Sequence, residues 1–301
     1  MKFIILARPY NPQSQGCVLL HKLAHTLNKI GHQAAVLFFN GHGNQTEAYF
    51  TVDRKFYCSD FIYKNPTDLN AWKKFKENAV IIYPEIISGN PLQGDYVVRY
   101  MLNREGFIKK GVMIHPSIND FILTHSYHYH QSPDFHLFNY QGNDLFNTTK
   151  TMNFYDRKID LTYIGKGSKY TKCFKLNGTT EVTREWPDNK LELANLFKAS
   201  RFIYTWDCIT ATVTDAILCG TFPVFMTYAP LTKNEVYNLI DLGVSIPEVS
   251  YEESLIPLSQ IKINAINNFI NEMSNKIYQS DLNWEKNVDI FSQKVFSHFK
   301  L

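Results

Sequence analysis

The chain has 301 residues, a formal net charge of +3 and 15% aromatic residues, with 22 Phe and 18 Tyr. That length suits one large or two medium domains with substantial cores, and the aromatic content excludes a disordered chain. The basic residues are dispersed rather than clustered, which argues against a nucleic-acid partner, and no run reaches the apolar length that a membrane span needs.

Residues 2–7, KFIILA, read as a strand. With a single Lys and so short an apolar run before Arg8, the start does not read as a signal peptide, and the expected location is cytoplasmic. A Pro- and Gly-punctuated loop leads to Gly16. An amphipathic helix follows through Leu19, Leu20, Leu23, Leu27 and Ile30, and Gly31 ends it. Residues 34–39 are a second strand, which gives the βαβ pattern of a parallel sheet. The basic stretch Trp72-Lys73-Lys74-Phe75-Lys76 suits a solvated helix face, or a peripheral contact with an anionic membrane.

A strand at 79–83 runs into Tyr83-Pro84-Glu85-Ile86-Ile87-Ser88-Gly89-Asn90, and a helix is expected through Tyr96 to Leu102. Glu85 and Asn90 are candidates to hold acceptor or donor hydroxyls, with turn and capping chemistry as the alternative. In the run from His125 to His130, His128 and His130 share one face if it is a strand. No partner carboxylate stands at defined spacing, so a polar strand or cleft wall is expected and no metal. The polar stretch 141–158 is the candidate linker. Five cysteines without a CxxC pair read as reduced thiols.

The second block begins with a strand at 159–164 and the turn Gly165-Lys166-Gly167, whose backbone could approach a diphosphate while Lys166 supplies charge. Arg184 could clamp the same group, or pair with Glu181 or Glu185. A helix at 191–199 and a strand at 201–204 precede Thr210, the expected N-cap of a helix over 211–219. Gly220 ends that helix, and a strand follows at 223–226. Asp207 and Asp215, with seven residues between them, flank the start of this helix.

Two regions carry a family resemblance. In the first, Gly16, Leu23-Ala24, Leu27 and Gly31-His32 precede Val36 on the next strand. In the second, Asp207 and Asp215 precede Ala216, Cys219-Gly220-Thr221 and Pro223-Val224. These resemble bacterial glycosyltransferases of GT-B architecture, of the retaining, nucleotide-sugar-dependent kind, whose C-terminal domain carries two glutamates separated by seven residues. Here both are aspartates, Phe222 is inserted before Pro223, and Gln15-Gly16 stands for the usual Gly-Gly.

The resemblance implies an α/β fold of two Rossmann-like domains facing a cleft, with an acceptor-side domain at 1–150 and a nucleotide-sugar domain at 151–301. The last helix would pack back on the first domain. It further implies Asp215 on the nucleotide ribose and Asp207 nearer the sugar and phosphates. Lys166, Arg184, Asp207 and Glu85 are then the catalytic candidates. Gly165, Gly167, Thr210 and Asp215 are the donor-binding ones, while Gly16, Asn90 and His125 line the cleft or hold the acceptor. No cofactor beyond the nucleotide sugar is expected. The expected acceptor is a surface glycan, free or lipid-linked and therefore reached from the inner face of the membrane. A sugar-nucleotide epimerase or hydrolase, or a non-catalytic binding subunit, are the alternative functions.

Overall fold

A computed structural model of the chain describes residues 1–12, 14–40, 49–51, 66, 68–108, 113–140, 144–169, 176–183 and 185–301. The chain divides into two compact units, the first comprising Met1–Gln141 with Ser280–Leu301 and the second Gly142–Gln279. Among the described residues no helix is long and apolar enough to cross a membrane.

The first unit contains β1 (Lys2–Ala7), α1 (Gln15–Lys29), β2 (Gln33–Asn40), β3 (Tyr49–Thr51), α2 (Leu69–Lys76), β4 (Ala79–Pro84), β5 (Tyr96–Met101), β6 (Phe121–Thr124) and β7 (Phe135–His136). The strands form one sheet in the order β3-β2-β1-β4-β5-β6-β7, parallel except for the β2–β3 pair. This is the doubly wound order, with its reversal between β1 and β4.

Alternate residues of β1 serve opposite faces, as the strand period requires. Phe3, Ile5 and Ala7 join Leu20, Leu23 and Leu27 of α1 in one core, while Ile4 and Leu6 join Trp72 and Ile81 in another. Gly31 follows α1 at φ 95°, a left-handed turn residue that lets the chain reverse at once into β2.

The second unit contains β8 (Ile159–Tyr163), β9 (Thr180–Glu181), α3 (Lys190–Lys198), β10 (Ser200–Thr205), α4 (Ala211–Leu218) and β11 (Phe222–Phe225), which form a parallel sheet ordered β11-β10-β8-β9. α5 (Lys233–Tyr237), the hairpin β12 (Asn238–Leu239) and β13 (Val244–Ser245), and α6 (Tyr251–Ser254) come next. α7 (Gln260–Leu282) then leads to α8 (Trp284–Phe299). Trp284, Val288, Phe291 and Val295 of α8 are buried in the first unit's core with Phe3 and Phe121. Full burial of each such side chain is worth about 1.5–3 kcal/mol.

Three expectations are corrected. Residues 96–101 are a strand, not a helix, because Val97, Val98, Arg99 and Tyr100 are buried on both faces between β4 and β6. Arg99 is tolerated there because its Nε donates to Asp120 Oδ2 at 2.7 Å and its guanidinium lies over the Tyr83 ring. His125 to His130 is a turn after β6 rather than a strand.

The third correction concerns the expected linker: the boundary between the units, Gln141/Gly142, falls at its start, but its described part belongs to the second unit's packing. Phe146 meets Phe197, and the buried Arg157 guanidinium donates to Met152 O at 2.8 Å, to Ser200 O at 3.1 Å and to Gly220 O. Burial lowers the pKa of this guanidinium to about 10. The chain's irregular path there follows from three carbonyls that need one fixed donor.

Candidate functional site

In the second unit the chain leaves β8 for β9 on one side and returns to β10 on the other. The loops after β8 and β10 therefore diverge at the carboxyl edge of the sheet, the position where open α/β sheets bind ligands. Gly165–Lys169 forms a single 3-10 turn after β8, and residues 206–210 leave β10 for α4.

Asp207 ties these two loops together. Its side chain is 3% exposed, and its Oδ2 accepts the Lys166 backbone N–H at 2.9 Å while Oδ1 accepts the Ile209 N–H at 3.2 Å. The Lys166 ammonium stands 3.8 Å from Oδ1 and donates to the Ile209 carbonyl. The Asp207 N–H in turn donates to Thr205 Oγ1 at 3.0 Å. A carboxylate that accepts backbone N–H groups is well compensated for burial.

The glycines flanking Lys166 are there because the other loop touches them. A Cβ on Gly165, which has φ +51°, would lie 2.6 Å from Asp207 Oδ2, and one on Gly167 would lie 2.1 Å from the Trp206 carbonyl oxygen. The turn opens onto a cleft of about 380 Å³ lined by Tyr163, Gly165, Lys166, Glu181, Thr183 and Glu185. Behind it, Cys208 donates to Tyr228 O at 3.1 Å, and burial raises its thiol to about 11, which leaves it unreactive near neutrality.

Thr210 caps α4 as its position in sequence requires, accepting the Thr212 N–H at 3.3 Å, and Gly220 follows at φ 87°. Asp215 shares a face with Ala211 and Thr212 by helical spacing, opposite the buried Val213, Ala216 and Ile217. It sits five residues, or about 7.5 Å of helix rise, beyond Thr210. Arg184 falls outside the described residues.

Of the sequence candidates, Gly165, Lys166, Gly167 and Asp207 come together, with Thr210 next along the chain. Glu85, Gly16, Asn90 and His125 belong to the first unit. Glu85 follows β4 with 5% exposure, and its Oε2 accepts the Leu102 N–H at 3.2 Å. Burial raises its pKa to about 7. Gly16, at the start of α1, faces the same Leu102 side chain.

Asn90 closes a turn, with Oδ1 accepting the Gly94 N–H at 3.0 Å and the Tyr83 hydroxyl at 2.9 Å. The segment from Glu85 onward thus passes through this turn into β5, not into a helix. His125 Nε2 pairs with the Asn139 carbonyl at 3.0 Å, and its ring packs on Phe138.

Sequence reasoning missed Glu181 and Thr183 as cleft residues. β9 is only two residues long, too short for a period, and the sequence 183–187 drew notice only for Arg184.

No family model and no curated protein matches the chain. Among solved structures it is similar to an alpha-glucosyltransferase in complex with UDP and a 13-mer DNA containing a HMU base, at 12% identity and a TM-score of 0.44, covering 100% of each chain. It is also similar to a sucrose-phosphate synthase from Thermosynechococcus elongatus, at 9% identity and 0.44, covering 99% of this chain and 97% of that one. A third is the glycotransferase of kitacinnamycin, at 9% identity and 0.40, covering 97% and 98%. Likenesses of this size carry no conclusion about the reaction.

Proposed function

We propose that the protein is a glycosyltransferase that moves a sugar from a nucleotide-sugar donor to a hydroxyl of a bacterial surface glycan, with retention at the anomeric carbon. The observation that carries this reading is the Gly165-Lys166-Gly167 turn, locked by Asp207 at the strand reversal of a parallel sheet and opening onto a cleft. A cation on a fixed turn at that edge suits the departing diphosphate, whose developing charge it offsets without reorganising. Asp207 is then a positioning residue acting through Lys166, and Lys166 together with Arg184 is assigned to the diphosphate.

Asp215 on the half-exposed face of α4 is assigned to the ribose hydroxyls. Glu85 is assigned to the acceptor hydroxyl, since a carboxyl with pKa about 7 exchanges a proton readily near neutrality. The small net charge favours a glycan over a nucleic acid as acceptor. Exposed Lys73 and Lys74 on α2 offer an anionic membrane surface a peripheral contact beside a lipid-linked acceptor.

The test is turnover of a nucleotide-sugar panel with and without glycan acceptor. Acceptor-dependent turnover supports the transferase, acceptor-free turnover replaces it with an epimerase or hydrolase, and binding alone with a non-catalytic subunit.

A further inference from the structure

The carboxyl edge of the first unit's sheet has no role in the reading above beyond Glu85. The last residues of β4, β5, β6 and β7 stand there in one row, with Pro84 opposite Tyr100, Met101 opposite Thr124, and Thr124 opposite His136. Glu85, Asn103 and the turn 125–130 therefore leave the sheet along the same edge. From β4 to β7 the row spans three strand spacings, roughly 14 Å, which is more than one sugar ring covers.

Asn103 is fixed in this row by its neighbours. The Leu102 N–H donates to Glu85 Oε2 at 3.2 Å, and Arg104 Nε donates to His128 O at 2.7 Å. Between them, Asn103 Oδ1 is buried and has no hydrogen-bond partner among the described residues. Folded chains pair nearly all such acceptors, so one left open a single residue from the Glu85 contact suits a hydroxyl brought by a ligand.

Farther along the row, Tyr127 is 45% exposed and stacks on His136, with ring centroids 4.2 Å apart and planes 23° apart. His136 is itself held, its Nε2 pairing with His125 O at 3.2 Å. The turn that carries Tyr127 is braced by Thr124 Oγ1, which donates to Ser126 O at 2.7 Å, and by Ser126 Oγ, which accepts the His128 N–H at 3.2 Å. A ring backed in this way loses little freedom when it binds. Among the described residues of 119–151 no other large apolar side chain is exposed. A lone aromatic face among polar neighbours suits a sugar, whose C–H groups lie on the ring while its hydroxyls stay hydrogen-bonded, better than a lipid chain.

We propose that Asn103 and Tyr127 bind the glycan acceptor. Asn103 Oδ1 accepts a hydroxyl of the ring presented to Glu85, and Tyr127 carries the next ring, so the site selects an acceptor of at least two sugars. This rests on the assignment of Glu85 to the acceptor hydroxyl.

The experiment is saturation-transfer NMR of the full chain with methyl β-glucoside and two disaccharide counterparts, methyl β-cellobioside and methyl β-lactoside, repeated for Tyr127→Ala, Tyr127→Phe and Asn103→Leu. The wild type should bind the disaccharides tighter than the monosaccharide by on the order of tenfold. Tyr127→Ala should remove that advantage and Tyr127→Phe should keep it, since the ring makes the contact. Asn103→Leu should weaken all three glycosides by about threefold or more with an unchanged or higher melting temperature, because a buried acceptor without a partner stabilises nothing in the free chain.

No binding by any of the three overturns the proposal. The Tyr127 assignment falls if the disaccharides have no advantage, if both Tyr127 variants lose it equally, or if uridine displaces the disaccharide, which would make the ring a platform for a base. A lowered melting temperature in Asn103→Leu, or unchanged binding, overturns the Asn103 assignment. Turnover separates the proposal from the reading beneath it. If these preferences hold and no nucleotide sugar is turned over, the transferase falls and the subsite stands. If sugar is transferred to the monosaccharide as readily as to the disaccharides, the two-ring subsite falls and the transferase stands.

Discussion

The Lys166 backbone N–H and the Asp207 carboxylate meet at 2.9 Å across two loops that are 41 residues apart in sequence, while the Lys166 ammonium stands 3.8 Å from the same carboxylate. Asp207 therefore fixes both the path of the turn and the place of its charge. Asp207→Asn keeps the size but swaps one acceptor oxygen for a donor, which must then face the N–H of Lys166 or of Ile209. Loss of a buried, charge-assisted acceptor should cost about 2–4 kcal/mol. Thermal unfolding reads this, and an unshifted melting temperature would show that the turn holds itself.

Gly165→Ala and Gly167→Ala should both be damaging, for a steric reason. A Cβ at 2.1 Å from the Trp206 carbonyl oxygen has no flexible neighbour to displace, so one of the two loops must move. Gly178 supplies the control, because it has φ +80° but nothing within 4 Å of an added Cβ. Its alanine variant should lose only the left-handed strain, about 1 kcal/mol. Equal losses in urea denaturation at Gly167 and Gly178 would refute the contact argument.

Glu85 makes stability fall with rising pH. Its folded pKa of about 7 lies above the ordinary value of 4.5, so between those values the folded chain holds a proton that the unfolded chain has released. Stability declines across that window, by about 3 kcal/mol in all if the shift is fully expressed. Glu85→Gln removes the dependence. The variant should match the wild type near pH 4 and exceed it at pH 8, and parallel curves would mean that the carboxyl is solvated.

Asp120→Ala leaves the Arg99 guanidinium, 1% exposed, without its carboxylate. Removing one partner of a buried pair should cost about 3–5 kcal/mol, whereas replacing both by apolar residues should recover much of it. Chemical denaturation of Asp120→Ala and of Arg99→Met/Asp120→Leu separates the two contributions, and a double variant as weak as the single one would count against the account.

Local signals made β1, α1 and β2 readable, since apolar spacing and Gly31 all act within a few residues. The run through β10, α4 and β11 was readable for the same reason, with Thr210 and Gly220 at the two ends of the helix. β5 was not readable, because Arg99 in its middle is permitted by Asp120, 21 residues later, and by Tyr83 on the neighbouring strand. The site divides in the same way. Gly165, Lys166 and Asp207 could be picked out as candidates, but that Asp207 reaches back to the turn is a property of two strands lying side by side. Glu181 and Glu185 were marked only as ion-pair partners for Arg184, not as cleft residues.

The placement of α8 bears on how the chain folds as it is made. Trp284 donates to Thr26 at 2.8 Å, and Phe291 meets both Phe3 and Phe121. Residues 2–7 thus complete their core only once residues 284–295 have been made, while residues 142–279 have the rest of their own unit by the time they emerge. The inserted unit is free to settle first, and the sheet begun by Lys2 must wait with one apolar face uncovered. That interval is the chain's most exposed moment to aggregation and to chaperones.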